Sequence, residues 1–134
     1  MNLFVDTSAF LAVLDRDDIN HPKADDQWRE IVLSNSSLYC HNYILVETVA
    51  LLQNRFGMEA VRAFQEDIFP LLHVQWVEEV IHKLGMSAFL AASRKRLSLV
   101  DCISFETMRN LGIKVAFAFD PHFRTHGFTC IPEK

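Results

Sequence analysis

Short apolar runs alternate along the chain with longer segments whose apolar positions recur every three or four residues. The runs are typical of buried strands, and the longer segments are typical of helices that bury one face. This alternation predicts an α/β fold with a mainly parallel central sheet and helices on both faces. The predicted strands are 2–6, 38–40, 71–76, 113–119 and 128–131. The predicted helices are 9–14, 21–34, 43–56, 58–69, 77–95 and 98–111.

Residues with strong capping preferences mark several of these boundaries. Asp6 is a good N-cap for the first helix, Asn42 is expected to cap helix 43–56, and Gly57 is expected to end it. The apolar face of helix 77–95 is expected to belong to the core, and so are the phenylalanine, methionine and tryptophan side chains in general. That face consists of Val80, Leu84, Ala88, Ala91 and Ala92.

Four acids stand inside or at the end of strongly apolar segments: Asp6, Glu47, Asp101 and Asp120. An unpaired charge is costly among hydrocarbon, and no lysine or arginine is adjacent to any of the four. A bound divalent cation is the simplest missing partner. In open parallel sheets the functional site lies beyond the carboxyl ends of the strands, which is where Asp6 and Asp120 fall.

Each of these acids also has a structural explanation. Asp6 can cap the first helix, Asp101 can complete a capping box with Ser98, and Asp120 can open a turn before Pro121. Glu47 has the weakest such explanation, although one exposed edge of its helix would suffice. Two carboxylates about 5 Å apart repel by roughly 3 kcal/mol at an effective dielectric of about 20, so four together call for a cation. Oxygen ligands favour Mg²⁺ or Mn²⁺ over zinc.

Other polar residues carry weaker signals. Ser8 and Ser104 are candidates for orienting carboxylates or bound water, with helix capping or ordinary bonding to the backbone as the alternative. His122 and His126 are expected to lie in a loop and not to form a zinc pair. The adjacent Cys40 and His41 would point apart on a strand, so Cys40 is read as a buried structural thiol.

Composition limits the class of protein without deciding its function. The 134 residues are 50% hydrophobic and 22% charged, as in an ordinary globular domain, and no apolar stretch predicts a signal peptide or a membrane span. Three cysteines without a CxxC pair fit a reducing cytoplasm. The formal charge of −4 neither indicates nor excludes nucleic-acid binding, because the local field matters more than the total charge. The basic run 94–96 reads as a solvated helix end.

The four acidic segments, in this order, resemble the PIN domain family, and in particular the VapC-like toxins of toxin–antitoxin pairs. The segments are FVDTSAF from Phe4, ETVALL from Glu47, SLVDCISF from Ser98 and AFDPHF from Ala118. The resemblance implies that residues 1–134 form a single Rossmann-like domain of three layers. It also implies an endoribonuclease that depends on Mg²⁺ or Mn²⁺, a homodimer, and a cognate antitoxin as partner.

The same resemblance assigns roles to the acids. Asp6 and Asp101 would be the principal metal ligands, while Glu47 and Asp120 would complete the pocket. All four would be catalytic, and Asp120 is a candidate for orienting the attacking water. The modest basic content leaves the RNA-binding surface unidentified.

Two further hypotheses compete with a ribonuclease. The first is an interaction module whose acidic pocket receives a basic peptide, such as an antitoxin arginine that pairs with several carboxylates. The second is a phosphotransfer or phosphatase domain in which Asp6 carries the phosphoryl group. Ser8 stands where dehalogenase-like phosphatases carry a second acid, and the acidic pair of receiver domains is missing at the first strand.

Overall fold

The computed structural model describes residues 1–133 and consists of one five-stranded sheet and the helices that surround it. The strands are β1 (Asn2–Val5), β2 (Ser37–His41), β3 (Leu72–Gln75), β4 (Val115–Phe117) and β5 (Thr129–Ile131). The α-helices are α1 (Thr7–Leu14), α2 (His21–Leu33), α3 (Asn42–Phe56), α4 (Met58–Ala63), α5 (Glu79–Ala92), α6 (Leu99–Leu111) and α7 (His122–Thr125).

The sheet is parallel throughout, and its strands follow the spatial order β3-β2-β1-β4-β5. Leu3 pairs with both Leu38 and Val115, which places β1 at the centre. The chain builds outwards from β1 through β2 to β3, and then returns to add β4 and β5 on the other side. The strand order therefore reverses between β1 and β4, the position at which open parallel sheets bind their ligands.

The central strands are buried along most of their length. Successive side chains of a strand point to opposite faces of the sheet, and Leu3, Phe4 and Val5 are all buried. Ala116 and Phe117 of β4 are buried in the same way. Both faces of the sheet are therefore covered, as expected of a parallel sheet with apolar strands, and the predicted fold class is confirmed.

The caps of two helices differ from expectation in an informative way. Ser98 caps α6 as predicted, but α3 is capped by His41, whose Nδ1 accepts the N–H of Ile44 at 3.2 Å. The amide oxygen of Asn42, predicted as this cap, instead accepts the N–H of Val77 at 2.6 Å. Val77 precedes α5, which begins at Glu79 and not at the predicted residue 77.

The predicted helix 58–69 is only partly α-helical. After α4 the chain forms a π-helical turn over Phe64–Ile68 and a 3-10 turn over Phe69–Leu71. The change follows from packing, because Phe64 and Ile68 are both buried and the ring of Phe64 meets that of Phe10 edge-on at 5.1 Å. Pro70, which has no N–H to donate, lies within the final turn.

The prediction that the face of α5 with Val80 and Leu84 is buried was wrong. Val80 and Leu84 are 66% and 49% exposed. The helix instead turns Gly85 towards α6, where it lies against Ile103, while Ile81 and Phe89 on the same side are half-buried. Glycine allows this close approach because it has no Cβ. A pattern of large apolar residues does not reveal such a contact. The other exposed members of the predicted face are Ala88, Ala91 and Ala92.

Not all large apolar side chains belong to the core, contrary to the prediction. Trp76 is 64% exposed, and Phe56 and Met58 are also exposed at the junction of α3 and α4. No helix within residues 1–133 combines the length and the apolar character that crossing a membrane requires.

Candidate active site

Asp6 is the first residue after β1, and the sheet and α1 together fix its position. Its backbone N–H donates to the carbonyl oxygen of Phe117 at 3.1 Å, and its side chain caps α1 as predicted. The Oδ2 atom accepts the Ser8 hydroxyl at 2.6 Å and the Ser8 N–H at 3.1 Å. The Ser8 hydroxyl in turn accepts the N–H of Phe119 at 3.0 Å. Ser8 therefore ties the carboxylate after β1 to the segment after β4.

The charged form of Asp6 is strongly disfavoured. Asp6 is 4% exposed, and this burial raises its pKa from 3.8 to about 7. The two hydrogen bonds from Ser8 act in the opposite direction, while repulsion from Asp101 and Asp120 adds to the increase. The repulsion places Asp6 in the same electrostatic cluster as the other two aspartates.

Asp101 lies in the first turn of α6 and is 7% exposed. Its N–H donates to the Ser98 hydroxyl at 3.0 Å, and its Oδ2 accepts the Ser98 N–H at 3.1 Å. The capping box predicted from the sequence is therefore present. Burial and, to a lesser extent, repulsion from Asp120 outweigh the lowering effects of Ser98 and His122, so that the pKa of Asp101 is raised to about 6. A capping role and a place in the acidic cluster are compatible.

Asp120 follows β4 and is held by the residue two positions later. Its Oδ1 accepts the backbone N–H of His122 at 2.9 Å and lies 2.8 Å from the imidazole Nδ1. The same Nδ1 is 4.0 Å from Oδ2 of Asp101. Asp101, Asp120 and His122 each offer one possible ligand atom, and these atoms lie within 4.8 Å of one another.

His122 is the member of this cluster that the sequence analysis missed. Contrary to the predicted loop, it begins the short helix α7, and His126 follows directly after that helix. The His126 ring stacks on Phe105 at 4.3 Å. The available signal was a histidine two residues after a strand-ending aspartate, a spacing at which both its N–H groups can reach the carboxylate.

Glu47 is half-buried on α3 and forms no hydrogen bond or ion pair with any described residue. The neighbouring Thr48 is buried and donates to the Thr7 hydroxyl at 3.1 Å, so α3 packs beside the residue that follows Asp6. The structure brings Asp101 and Asp120 together with His122, and Asp6 is close enough for both aspartates to raise its pKa. The place of Glu47 in the pocket stays a prediction.

Ser104 lies in a buried polar chain and makes its hydrogen bonds away from the carboxylates. His41 uses Nδ1 as the acceptor that caps α3, so its proton is on Nε2, which donates to the Ser104 hydroxyl at 2.8 Å. Ser104 then donates to the carbonyl of Val100 at 2.9 Å. Burial lowers the pKa of His41 to about 3, so this histidine is neutral. The chain links β2 and α3 to the first turns of α6, where Asp101 lies.

Cys40, which precedes His41, is buried, and burial raises the pKa of its thiol to about 12. A thiol with so high a pKa is not a nucleophile at neutral pH.

The comparison with known families decides the identity of this fold. The sequence model of the PIN domain matches residues 3–128. The chain belongs to the PIN domain family. The chain is also similar to the 23S rRNA-specific endonuclease VapC20 of Mycobacterium tuberculosis, found in two strains. The identity is 31% over 130 residues, which cover 94% of this chain and 95% of the relative.

Solved structures agree with this assignment. The fold is similar to the crystal structure of Mycobacterium tuberculosis VapC20, described as a sarcin-ricin loop cleaving toxin, with a TM-score of 0.81 and 29% sequence identity. The match covers 95% of this chain and 96% of that one. FitAcB from Neisseria gonorrhoeae has the same fold, with a TM-score of 0.68 at 16% identity over 97% and 96% of the two chains.

The donor set of this PIN domain fits a hard divalent cation. Within residues 1–133, Asp6, Asp101 and Asp120 form no ion pair with a lysine or arginine, and His122 is their basic neighbour. The carboxylates are buried or half-buried, and burial raises the pKa values of Asp6 and Asp101, with mutual repulsion as a smaller contribution. A cation among them would replace this repulsion by attraction. Carboxylate oxygens are ligands that Mg²⁺ and Mn²⁺ accept.

Proposed function

We propose that this PIN domain is an endoribonuclease that depends on a divalent cation, Mg²⁺ or Mn²⁺. The observation that carries the proposal is the cluster of Asp101 and Asp120 at the switch point between β1 and β4, with Asp6 near enough to be repelled by both. None of the three forms an ion pair with a lysine or arginine in the described part of the chain. Such a site has the charge to hold the cation that phosphodiester hydrolysis uses.

The proposed substrate class, RNA, is inferred from sequence similarity. VapC20 is named as a 23S rRNA-specific endonuclease and is similar to this chain over almost the full length of both. We extend RNA cleavage to this chain on that basis, and 23S rRNA is the first substrate to test. We also propose that the protein acts as the toxin of a toxin–antitoxin pair, because the solved VapC20 structure is described as a toxin.

We assign different roles to the aspartates of the site. Asp6 and Asp101 would be the principal ligands, because they are the most deeply buried of the acids and are held by Ser8 and Ser98. When bound, the cation supplies a water of lowered pKa and offsets the charge that builds on the phosphate. Glu47 would add charge from α3.

Asp120 would orient the attacking water or bind the cation through its second oxygen. Both described hydrogen bonds to its carboxylate end on Oδ1, which leaves Oδ2 available. His122 makes both of them and is therefore a positioning residue for Asp120. Ser8 has the same role for Asp6.

The remaining proposals concern the whole protein. We propose that residues 1–134 act as one domain, although Lys134 lies outside the described residues, and that the domain forms a homodimer. A cognate antitoxin would be the second partner, and a basic side chain of that partner could enter the acidic pocket in place of the cation. Three free, buried thiols favour the reducing cytoplasm as the site of action.

Cleavage of RNA after controlled removal and return of the metal tests the enzymatic part. The purified protein is stripped with EDTA and incubated with 23S rRNA, with or without Mn²⁺ or Mg²⁺. We expect cleavage only after the metal is returned, and none by Asp101→Asn. Asp67→Asn is the matched control, because Asp67 is exposed in the turn Phe64–Ile68, and it should cleave like the wild type. Metal-independent cleavage, or full activity of Asp101→Asn, would contradict the proposal.

A further inference from the structure

A cleft opens beside Asp120, between the start of α2 and the helix α7. It has a volume of about 400 Å³, within the range of sites that bind small organic molecules. Asp120 forms part of its wall, so the cleft adjoins the acidic cluster directly. The side chains that matter here are Asn20, Lys23, Phe119, Arg124 and Glu133. We call this space the Lys23–Arg124 cleft.

Two cations of the cleft are available to a ligand. Lys23 and Arg124 are both exposed, and neither forms an ion pair with a described residue. One N–H of the Arg124 guanidinium donates to the carbonyl oxygen of Cys130 at 3.4 Å. That bond ties the side chain to the middle of β5 and leaves its other donors without a partner among the described residues. A phosphate in the cleft would therefore meet two cations that form no ion pair with a described residue.

The cleft also presents groups that suit a nucleobase. Phe119 is half-buried in the wall of the cleft. Its backbone N–H donates to the hydroxyl of Ser8, and that hydroxyl donates to the carboxylate of Asp6. Asn20 stands at the start of α2, where its side chain makes no capping hydrogen bond. Proteins that bind single-stranded RNA combine cations for the backbone with aromatic side chains for the bases. The Lys23–Arg124 cleft has this combination.

We propose that the Lys23–Arg124 cleft binds the nucleotide next to the scissile phosphate of a single-stranded RNA segment. Lys23 and Arg124 contact its phosphates, and Phe119 packs against its base. The inference rests on the proposed RNA substrate and adds the surface that contacts it. The two cations line the same cleft as Asp120, and a chain of net charge −4 needs local positive charge there to hold an anionic substrate.

Glu133 lines the same cleft and opposes a phosphate there. It is exposed and forms no ion pair with Lys23 or Arg124 within residues 1–133. Because it adds negative charge where the proposal places an anion, its removal should strengthen RNA binding. This gain is useful as a test, since damage to the fold would weaken binding and not strengthen it.

Fluorescence anisotropy with a short labelled oligouridylate tests the proposal in EDTA, where the probe is not cleaved by a metal-dependent enzyme. We expect Lys23→Gln and Arg124→Gln each to raise Kd by roughly fivefold at low salt. Each should also reduce the slope of log Kd against log salt concentration by about 0.7, the contribution of one phosphate contact on a single strand. Glu133→Gln should lower Kd.

Matched controls come from cations elsewhere on the surface. Lys114 is exposed and precedes β4, at the opposite end of the strand from Asp120, and Arg55 is exposed in the last turn of α3. Lys114→Gln and Arg55→Gln remove the same charges and should leave Kd and its salt slope close to wild type. Unchanged melting temperatures would exclude damage to the fold.

The outcomes separate this inference from the proposed activity. Equal losses in the cleft and control variants mean a non-specific charge effect, and no loss in the cleft variants means that the cleft does not hold RNA. Either result overturns the inference, even if the protein cleaves RNA. A selective loss in Lys23→Gln and Arg124→Gln supports it, even if no metal restores cleavage.

Discussion

At the scale of the residue, the main property of Asp6 and Asp101 is that the fold holds carboxylates where ionisation is unfavourable. Both residues could be singled out from the sequence because an acid is unusual at the end of an apolar strand, as at Asp6, or within an apolar segment, as at Asp101. The interaction of His122 with Asp120 was not predictable with the same certainty. It depends on α7, a single helical turn that directs two N–H groups of one residue at Oδ1.

The raised pKa values predict an unusual dependence of stability on pH in the absence of metal. A carboxyl with a higher pKa in the folded than in the unfolded chain binds more protons when folded. The free energy of unfolding therefore falls as pH rises between the two pKa values. For Asp6 that window runs from 3.8 to about 7, and for Asp101 it ends at about 6.

We thus expect the protein in EDTA to be more stable to urea near pH 5 than near pH 8. Each pKa unit corresponds to about 1.4 kcal/mol for a single group, so the loss should be a few kcal/mol. Asp6→Asn should flatten the curve, because the side chain no longer titrates. A free energy of unfolding that rises over this pH range would contradict the assignment.

His122 should matter through the position of Asp120. His122→Ala removes the Nδ1–H donor and should weaken Mn²⁺ binding, measured by calorimetry, by roughly tenfold or more. His122→Asn places an amide donor near the position of Nδ1 and should recover much of that affinity. His126→Ala is the control, since His126 stacks on Phe105 outside the cluster. Equal affinities in His122→Ala and wild type would show that Asp120 needs no such support.

At the scale of the element, the sequence predicted the strands and most helices well, because apolar runs and capping residues have local causes. It failed where packing with another element decides the outcome. The π-helical turn at Phe64–Ile68 allows the side chains of both Phe64 and Ile68 to be buried in the core. In α5 the buried side is defined by Gly85, whereas the more apolar face with Val80 and Leu84 is exposed.

Gly85 gives a direct test of how α5 packs on α6. A Cβ at this position would overlap the Cδ1 atom of Ile103 and approach its Cγ1 to 3.1 Å. Gly85→Ala should therefore destabilise the fold by about 1–3 kcal/mol, although alanine is the better helix former.

Adding Ile103→Val removes the overlapping methyl group and should recover part of the loss, which urea denaturation would measure as non-additivity. A stabilised Gly85→Ala variant would mean that the two helices separate at no cost. Ser87→Ala, at an exposed position of the same helix, is the control and should change stability little.

At the scale of the whole molecule, the parallel sheet explains why distant segments meet. Asp6 and Asp120 are far apart in sequence, yet they follow the neighbouring strands β1 and β4 at the point where the strand order reverses. Alternation of strands and helices was enough to predict a parallel sheet. It could not give the surface beside Asp120, because Lys23 and Arg124 belong to elements that meet only through the tertiary fold.

We propose that the clustered aspartates hold a divalent cation, and thermal unfolding with and without Mn²⁺ is a direct test of that binding. A ligand that binds only the folded state raises the melting temperature. We expect a clear increase for wild type and Asp67→Asn at pH 8. We expect little or no increase for Asp101→Asn, which should remain folded without metal because it loses a buried charge. Absence of a shift in wild type at millimolar Mn²⁺, or an equal shift in Asp101→Asn, would contradict cation binding by these aspartates.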